Sequence, residues 1–125
     1  MNLVLDTHVL LWCLSAPGKL SARTRKRIER ADQVVFVSAA SAWEIEIKRA
    51  LGKLKAPKDL AHQLQAKRFT ELPVEVRHTA ALSSLPRLHR DPFDRMLIAQ
   101  AMADGLTLVT ADGAIRAYAV ATISA

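Results

Sequence analysis

Short β-prone runs alternate with longer helix-compatible stretches along the whole chain, and this alternation restricts the possible folds more than any other feature. Leu3, Val4 and Leu5 form a run that ends at Asp6, and the apolar stretch Val9 to Leu14 that follows is closed by Pro17 and Gly18. The pattern reads as strand, then helix. Ser21 is placed to cap a basic helix reaching about Ala31, and Val34 to Val37 supplies a second buried strand. Ser38 or Ser41 then caps a longer helix with Trp43, Ile47, Ala50, Leu51 and Leu54 on its apolar face.

Pro57 opens a further amphipathic segment through about Lys67, and Leu72 to Val74 is a strand candidate interrupted by Pro73. A short helix follows, ending before Pro86. Asp91 and Pro92 suit the N-cap and first turn of a helix reaching Ala103, with Gly105 placed to end it. Leu106 to Val109 reads as a strand, and Val120 to Ile123 as another. Strands that alternate with helices, rather than clustering, call for a mostly parallel sheet covered on both faces: an α/β chain in three layers, helix on sheet on helix. With 125 residues, half of them hydrophobic, the chain can bury one sizeable core, so residues 1–125 are expected to form a single domain.

In such a sheet, ligands gather beyond the carboxyl ends of the strands, where successive connections depart in opposite directions. Asp6 directly follows the first strand, and Asp112 stands just past the strand ending at Val109. Each also has a plain reading, Asp6 or Thr7 as a helix cap and Asp112-Gly113 as a turn. Glu44 has Lys48 four residues on, a pair worth only about 0.2–0.5 kcal/mol on a helix surface. At about 100° per residue, however, Glu44 lies beside Leu51 at the margin of the apolar arc, which predicts a partly buried carboxylate. Asp94 suits the first turn after the Asp91 cap, yet it shares a face with Leu97, Ile98 and Ala101. An ionised carboxylate there costs several kcal/mol unless a cation or hydrogen-bond donors compensate it.

If the four carboxylates converge, their mutual repulsion is relieved by a divalent cation, and oxygen-only ligation favours Mg²⁺ or Mn²⁺ over zinc. His8, His62, His78 and His89 have no metal-ligand spacing. Thr7, Ser38 and Thr110 stand at strand ends, where hydroxyls can orient water or carboxylates and can equally serve as caps. Trp12 and Trp43 are expected in the core rather than as platforms for bases.

The net charge of +6 and a pI near 10 make a polyanion the natural partner. The basic segments Arg23 to Arg30 and Arg87 to Arg95 could hold phosphates, although charge runs are usually solvated faces. The lone Cys13 excludes an intrachain disulfide and suits a reducing cytoplasm. Asp6 and His8 interrupt the apolar start, so no signal peptide or membrane span is expected.

Leu5-Asp6-Thr7, Val37-Ser38 leading to Trp43-Glu44-Ile45, the segment from His89 through Asp91-Pro92-Phe93-Asp94-Arg95 to Ile98-Ala99, and Thr110-Ala111-Asp112 together resemble the PIN-domain family. The similarity is specifically to its VapC-type toxin nucleases. The resemblance implies a PIN-like three-layer sandwich with Asp6, Glu44, Asp94 and Asp112 as catalytic metal-binding carboxylates and Thr110 in support. Asp91 and Asp94 compete for the third position, and Asp94 is preferred because Asp91 has the simpler task of capping. Gly113-Ala114-Ile115 follows Asp112 where the family often has a polar or aromatic residue. The resemblance further implies metal-dependent endoribonuclease activity on transfer or ribosomal RNA, a homodimer, and a cognate antitoxin whose arginine enters the acidic pocket. Two rivals stand beside it. One is a catalytically silent RNA-binding or protein-interaction module on the same fold. The other is a phosphoacceptor domain, which would need a lysine at the end of a late strand, whereas Lys67 is the last lysine in the chain.

Overall fold

The computed structural model describes residues 2–89 and 91–125. Arg90, inside the second basic segment, lies outside the described residues. The elements run β1 (Leu3–Leu5), α1 (Thr7–Ser15), α2 (Ala22–Ile28), β2 (Val35–Ser38), α3 (Ala39–Ala50), α4 (Leu60–Ala66), β3 (Thr70–Leu72), α5 (Val76–Leu82), α6 (Pro92–Asp104), β4 (Thr107–Thr110) and β5 (Thr122–Ser124). The strands form one sheet in the order β3-β2-β1-β4-β5, and every pairing is parallel.

Side chains alternate across the strands and divide the core in two. Leu3, Leu5, Val35, Val37 and Val109 face one layer, where they meet Val9, Leu10 and Cys13 of α1, Ile28 of α2, Ile45 of α3 and Leu64 of α4. Val4 and Leu108 face the other, against Leu97, Ile98 and Ala101 of α6 and, beyond β4, Ile115 and Tyr118. Each fully buried aliphatic side chain contributes about 1.5–3 kcal/mol, so these two clusters supply most of the drive to fold. The three-layer α/β/α arrangement expected from the sequence is the one observed.

Local chemistry sets the boundaries. Ser21 caps α2 through Thr24 N, Ser38 rather than Ser41 caps α3 through Ala40 N, and Asp91 caps α6. Gly105 ends α6 in the left-handed region, at φ 65°, where a side chain would be strained. Four expectations move. Helix α2 stops at Ile28, short of Ala31, and α4 begins after Asp59 rather than at Pro57. Strand β3 ends at Leu72, so Pro73 follows the strand instead of breaking it, which spares the ladder a missing donor. Strand β5 is displaced two residues from the expected start, to Thr122.

The largest departure is in α3. Trp43 and Leu51 are 64% and 63% exposed, and Ile47 is 36% exposed. The buried positions are Ala40, Ser41, Glu44 and Ile45. The helix therefore turns its polar seam inward, because Ser41 and Glu44 find hydrogen-bond partners on α1 that compensate their desolvation. Trp43 is not a core residue as expected; it rests edge-on against Phe93, with ring centroids 5.3 Å apart. Trp12 does pack against the first core cluster.

Candidate metal centre

The sheet order makes β1 and β4 neighbours whose onward connections leave in opposite directions, toward β2 and β5 respectively. The crevice above their carboxyl ends is where Asp6 and Thr110 emerge. Asp6 is buried, and its Oδ1 accepts a hydrogen bond from Val9 N at 2.8 Å, so it does cap α1. Burial raises its carboxyl above the ordinary value, while hydrogen bonds from the Thr110 side chain and the Val9 backbone oppose that rise. Capping occupies one oxygen, and the plain and the functional readings of Asp6 are compatible.

Glu44 reaches the same region from α3. It is 2% exposed, more deeply buried than its helical position suggested. Its Oε1 accepts the Thr7 hydroxyl at 2.6 Å, and its Oε2 pairs with the Lys48 ammonium. The hydrogen bond to Glu44 is the main reason that the Lys48 ammonium holds its proton more tightly, and the charges of Asp91 and Asp94 add to it. Lys48 is thus a cation at the rim of an acidic cluster rather than half of a solvated helix pair.

Asp94 lies at the centre of that cluster. Its carboxyl is pushed up to about 7, first by burial and then by the negative charges of Asp91, Asp6 and Glu44, with His89 acting in the opposite direction. The structure therefore brings Asp6, Glu44 and Asp94 within electrostatic range of one another. Asp91 is close enough to repel Asp94, but its Oδ1 is engaged by the backbone N–H groups of Phe93 and Asp94. Ser38 is turned away from the acids. Its hydroxyl caps α3 and donates to the buried Gln100 at 2.6 Å, tying β2 to α6.

Asp112 approaches from the opposite rim with its side chain 41% exposed. Its Oδ1 caps the 3₁₀ turn Gly113–Ala117 through Ala114 N, its own N–H donates to the Thr110 hydroxyl, and its Oδ2 contacts His89 Nε2 at 2.8 Å.

His89 is the residue that sequence reasoning missed. Its Nε2 also lies 3.2 Å from Asp94 Oδ2, so a single ring joins two of the four acids. Its Nδ1 accepts the Asp91 N–H at 3.1 Å, which leaves Nε2 to donate to Asp112, with Asp94 Oδ2 beside it. One nitrogen of His89 stands within metal-ligand reach of Asp94 and Asp112, but in this tautomer it orders the acids instead of ligating. The loop carrying it is anchored by Tyr118, whose buried hydroxyl oxygen accepts the N–H groups of Leu88 and His89 at 3.1 and 2.8 Å. The sequence signal was the position of His89 two residues before the Asp91 cap, a local relation that metal-ligand spacing does not test.

Donor atoms of Asp94, Asp112 and His89 lie within 4.8 Å of one another, and Asp6 and Glu44 act on Asp94 through their charge. Negative charge crowds Asp94, with His89 opposing it, and a divalent cation there would relieve that crowding. Hard oxygen donors suit Mg²⁺ or Mn²⁺.

The PIN domain model matches residues 3–121. The chain is 33% identical over 124 residues to Ribonuclease VapC22 of Mycobacterium tuberculosis, covering 94% of this chain and 92% of that protein. Among solved structures, VapBC2 from Rickettsia felis, bound to a DNA fragment from its promoter, is similar with a TM-score of 0.73 at 14% identity over 99% of this chain and 98% of that one. DNA-bound VapBC from Salmonella typhimurium gives 0.72, also at 14% identity, over 99% of this chain and 98% of that one. At those identities the structural likeness speaks for the fold.

Proposed function

This chain belongs to the PIN domain family, among the VapC-type ribonucleases, and on that premise we propose that it is a divalent-metal-dependent endoribonuclease, the toxin of a toxin–antitoxin pair. The observation that supports the reading is the crowding of negative charge on Asp94 by Asp91, Asp6 and Glu44, beside an Asp94–His89–Asp112 cluster whose donor atoms lie within 4.8 Å of one another. Asp6, Glu44 and Asp94 are the principal ligands and Asp112 the fourth. When bound there, Mg²⁺ or Mn²⁺ supplies a water of lowered pKa and neutralises charge developing on the phosphate.

The chain's own residues do the rest. Thr110 and Val9 N hold Asp6, Thr7 fixes one oxygen of Glu44, and Lys48 balances the other. The Nε2 of His89 hydrogen-bonds Asp112 and lies 3.2 Å from Asp94, which keeps the two acids on the same side of the ring. Thr7 and Thr110 support the carboxylates, Asp91 supports the turn that presents Asp94, and Ser38 ties the end of β2 to α6 through Gln100.

The VapBC complexes among the structural relatives support a cognate antitoxin as partner. An arginine from it, entering the acidic pocket, would take over the role of the metal. Homodimerisation, a transfer or ribosomal RNA substrate and a cytoplasmic setting belong to the same proposal. Among the described residues no helix is long and apolar enough to cross a membrane. The deciding experiment is a metal-titrated RNA cleavage assay of wild type, Asp6→Asn and Asp94→Asn, with chelator as control. Cleavage that needs metal and both acids supports the reading; RNA binding without cleavage under any metal favours the silent module.

A further inference from the structure

The basic helix α2 has features that a solvated charged face does not explain. Arg23, Lys26 and Arg27 recur at the spacing of one helical face, and Arg30 lies just past the last turn. That face lines a cleft of about 710 Å³ between α2 and strand β5, with Thr122, Ile123 and Ser124 as its other wall. Like charges three and four apart on a helix repel one another. Arg30 is balanced by Asp32, and Arg27 donates to the Gln33 amide oxygen. Arg23 and Lys26 have no acidic partner among the described residues. The opposite flank of α2 is different, since Arg25 shares a separate cavity with Glu29 and Cys13.

The cleft opens at the same end of the sheet as the carboxylates. Thr24 Oγ1 donates to the Ser124 carbonyl at 2.5 Å, fixing the start of α2 beside the carboxyl end of β5. Ser124 is in register with Thr110, whose hydroxyl supports Asp6. Two strand spacings, about 10 Å, separate β1 from β5, a span that a few nucleotides of extended single strand cover. From Arg23 to Arg27 the cations span about 6 Å along α2, at 1.5 Å per residue, and Arg30 continues the line past the helix end.

We propose that this α2–β5 cleft is a phosphate-binding track that holds the single-stranded RNA flank leading away from the carboxylate centre. The proposal rests on the ribonuclease reading and adds to it where the substrate lies. A polyanion is favoured over a peptide strand added to the β5 edge because the lining side chains are cationic, spaced along a line, and short of acidic partners.

The test uses the full chain. In an Asp6→Asn background without divalent metal, fluorescence anisotropy measures binding of a short unstructured oligoribonucleotide across a salt series. Neutralising Arg23, Lys26 and Arg27 together to Ala is expected to weaken binding by about tenfold or more and to reduce the slope of log affinity against log salt by about 2, at ~0.7 per phosphate contact. Arg25→Ala, a control on the far flank, should leave slope and affinity near those of the parent. In the otherwise wild-type chain, the triple variant should raise KM for long RNA with kcat largely retained. An unchanged slope and KM overturn the track, as does an equal loss in Arg25→Ala. A triple variant that loses binding to a poly-glutamate peptide but keeps its RNA affinity assigns the cleft to a protein partner and also overturns it. If wild type cleaves no RNA but still binds it through α2, the nuclease reading fails and the track stands.

Discussion

Replacing Asp94 with Asn should make the metal-free protein more stable while removing its response to metal. The carboxyl of Asp94 is raised from 3.8 to about 7 in the fold, so the folded state retains a proton that the unfolded chain has already lost over that interval. Stability assigned to this group is complete below about pH 4, declines as pH rises toward 7, and is fully lost above it. At face value the rise costs the ionised, folded form about 4 kcal/mol, and solvent screening at a group still open on one side reduces that to about 2. Asn has no charge to repel and keeps the shape of the side chain. Thermal melts in chelator should therefore coincide near pH 4 and separate by pH 8, the variant melting about 8 °C higher at about 4 °C per kcal/mol. Added Mn²⁺ should raise the wild-type midpoint at pH 8 and leave the variant nearly unmoved. A variant that melts below wild type at pH 8, or by a margin independent of pH, refutes the claim that Asp94 is held against its neighbours' charge.

Asp6→Asn should reduce metal-dependent cleavage to background while circular dichroism stays native, since it removes one ligand charge and little volume. Saturating Mg²⁺ or Mn²⁺, at 100 times its dissociation constant, should stabilise wild type by about 2.7 kcal/mol in calorimetry, and a chelator should reverse it. Tyr118→Phe leaves the N–H groups of Leu88 and His89 without their acceptor, which should cost about 1–3 kcal/mol in denaturant unfolding and lower activity through the displaced His89 loop. Product analysis should find 5′-phosphate and 3′-hydroxyl ends, because water is the nucleophile; a 2′,3′-cyclic phosphate contradicts that route.

The sequence by itself determined the periodic and local features. Strand–helix alternation set the parallel three-layer sheet, and the short-range caps Ser21, Ser38, Asp91 and Gly105 fixed helix ends because their partners lie within a few residues. It also placed Asp6 and Asp112 beyond strand ends, where a parallel sheet collects its ligands. Tertiary structure decided what depends on partners distant along the chain. Helix α3 has enough apolar residues to bury the Trp43 and Leu51 side, but Thr7 on α1 draws Ser41 and Glu44 inward, and Trp43 ends at the surface against Phe93. His89 joins Asp94 to Asp112 only because Tyr118, about thirty residues on, pins its loop. Residue types and helical periods can be read along one dimension, whereas the compensation of a buried charge is settled by whichever groups the fold brings into contact with it.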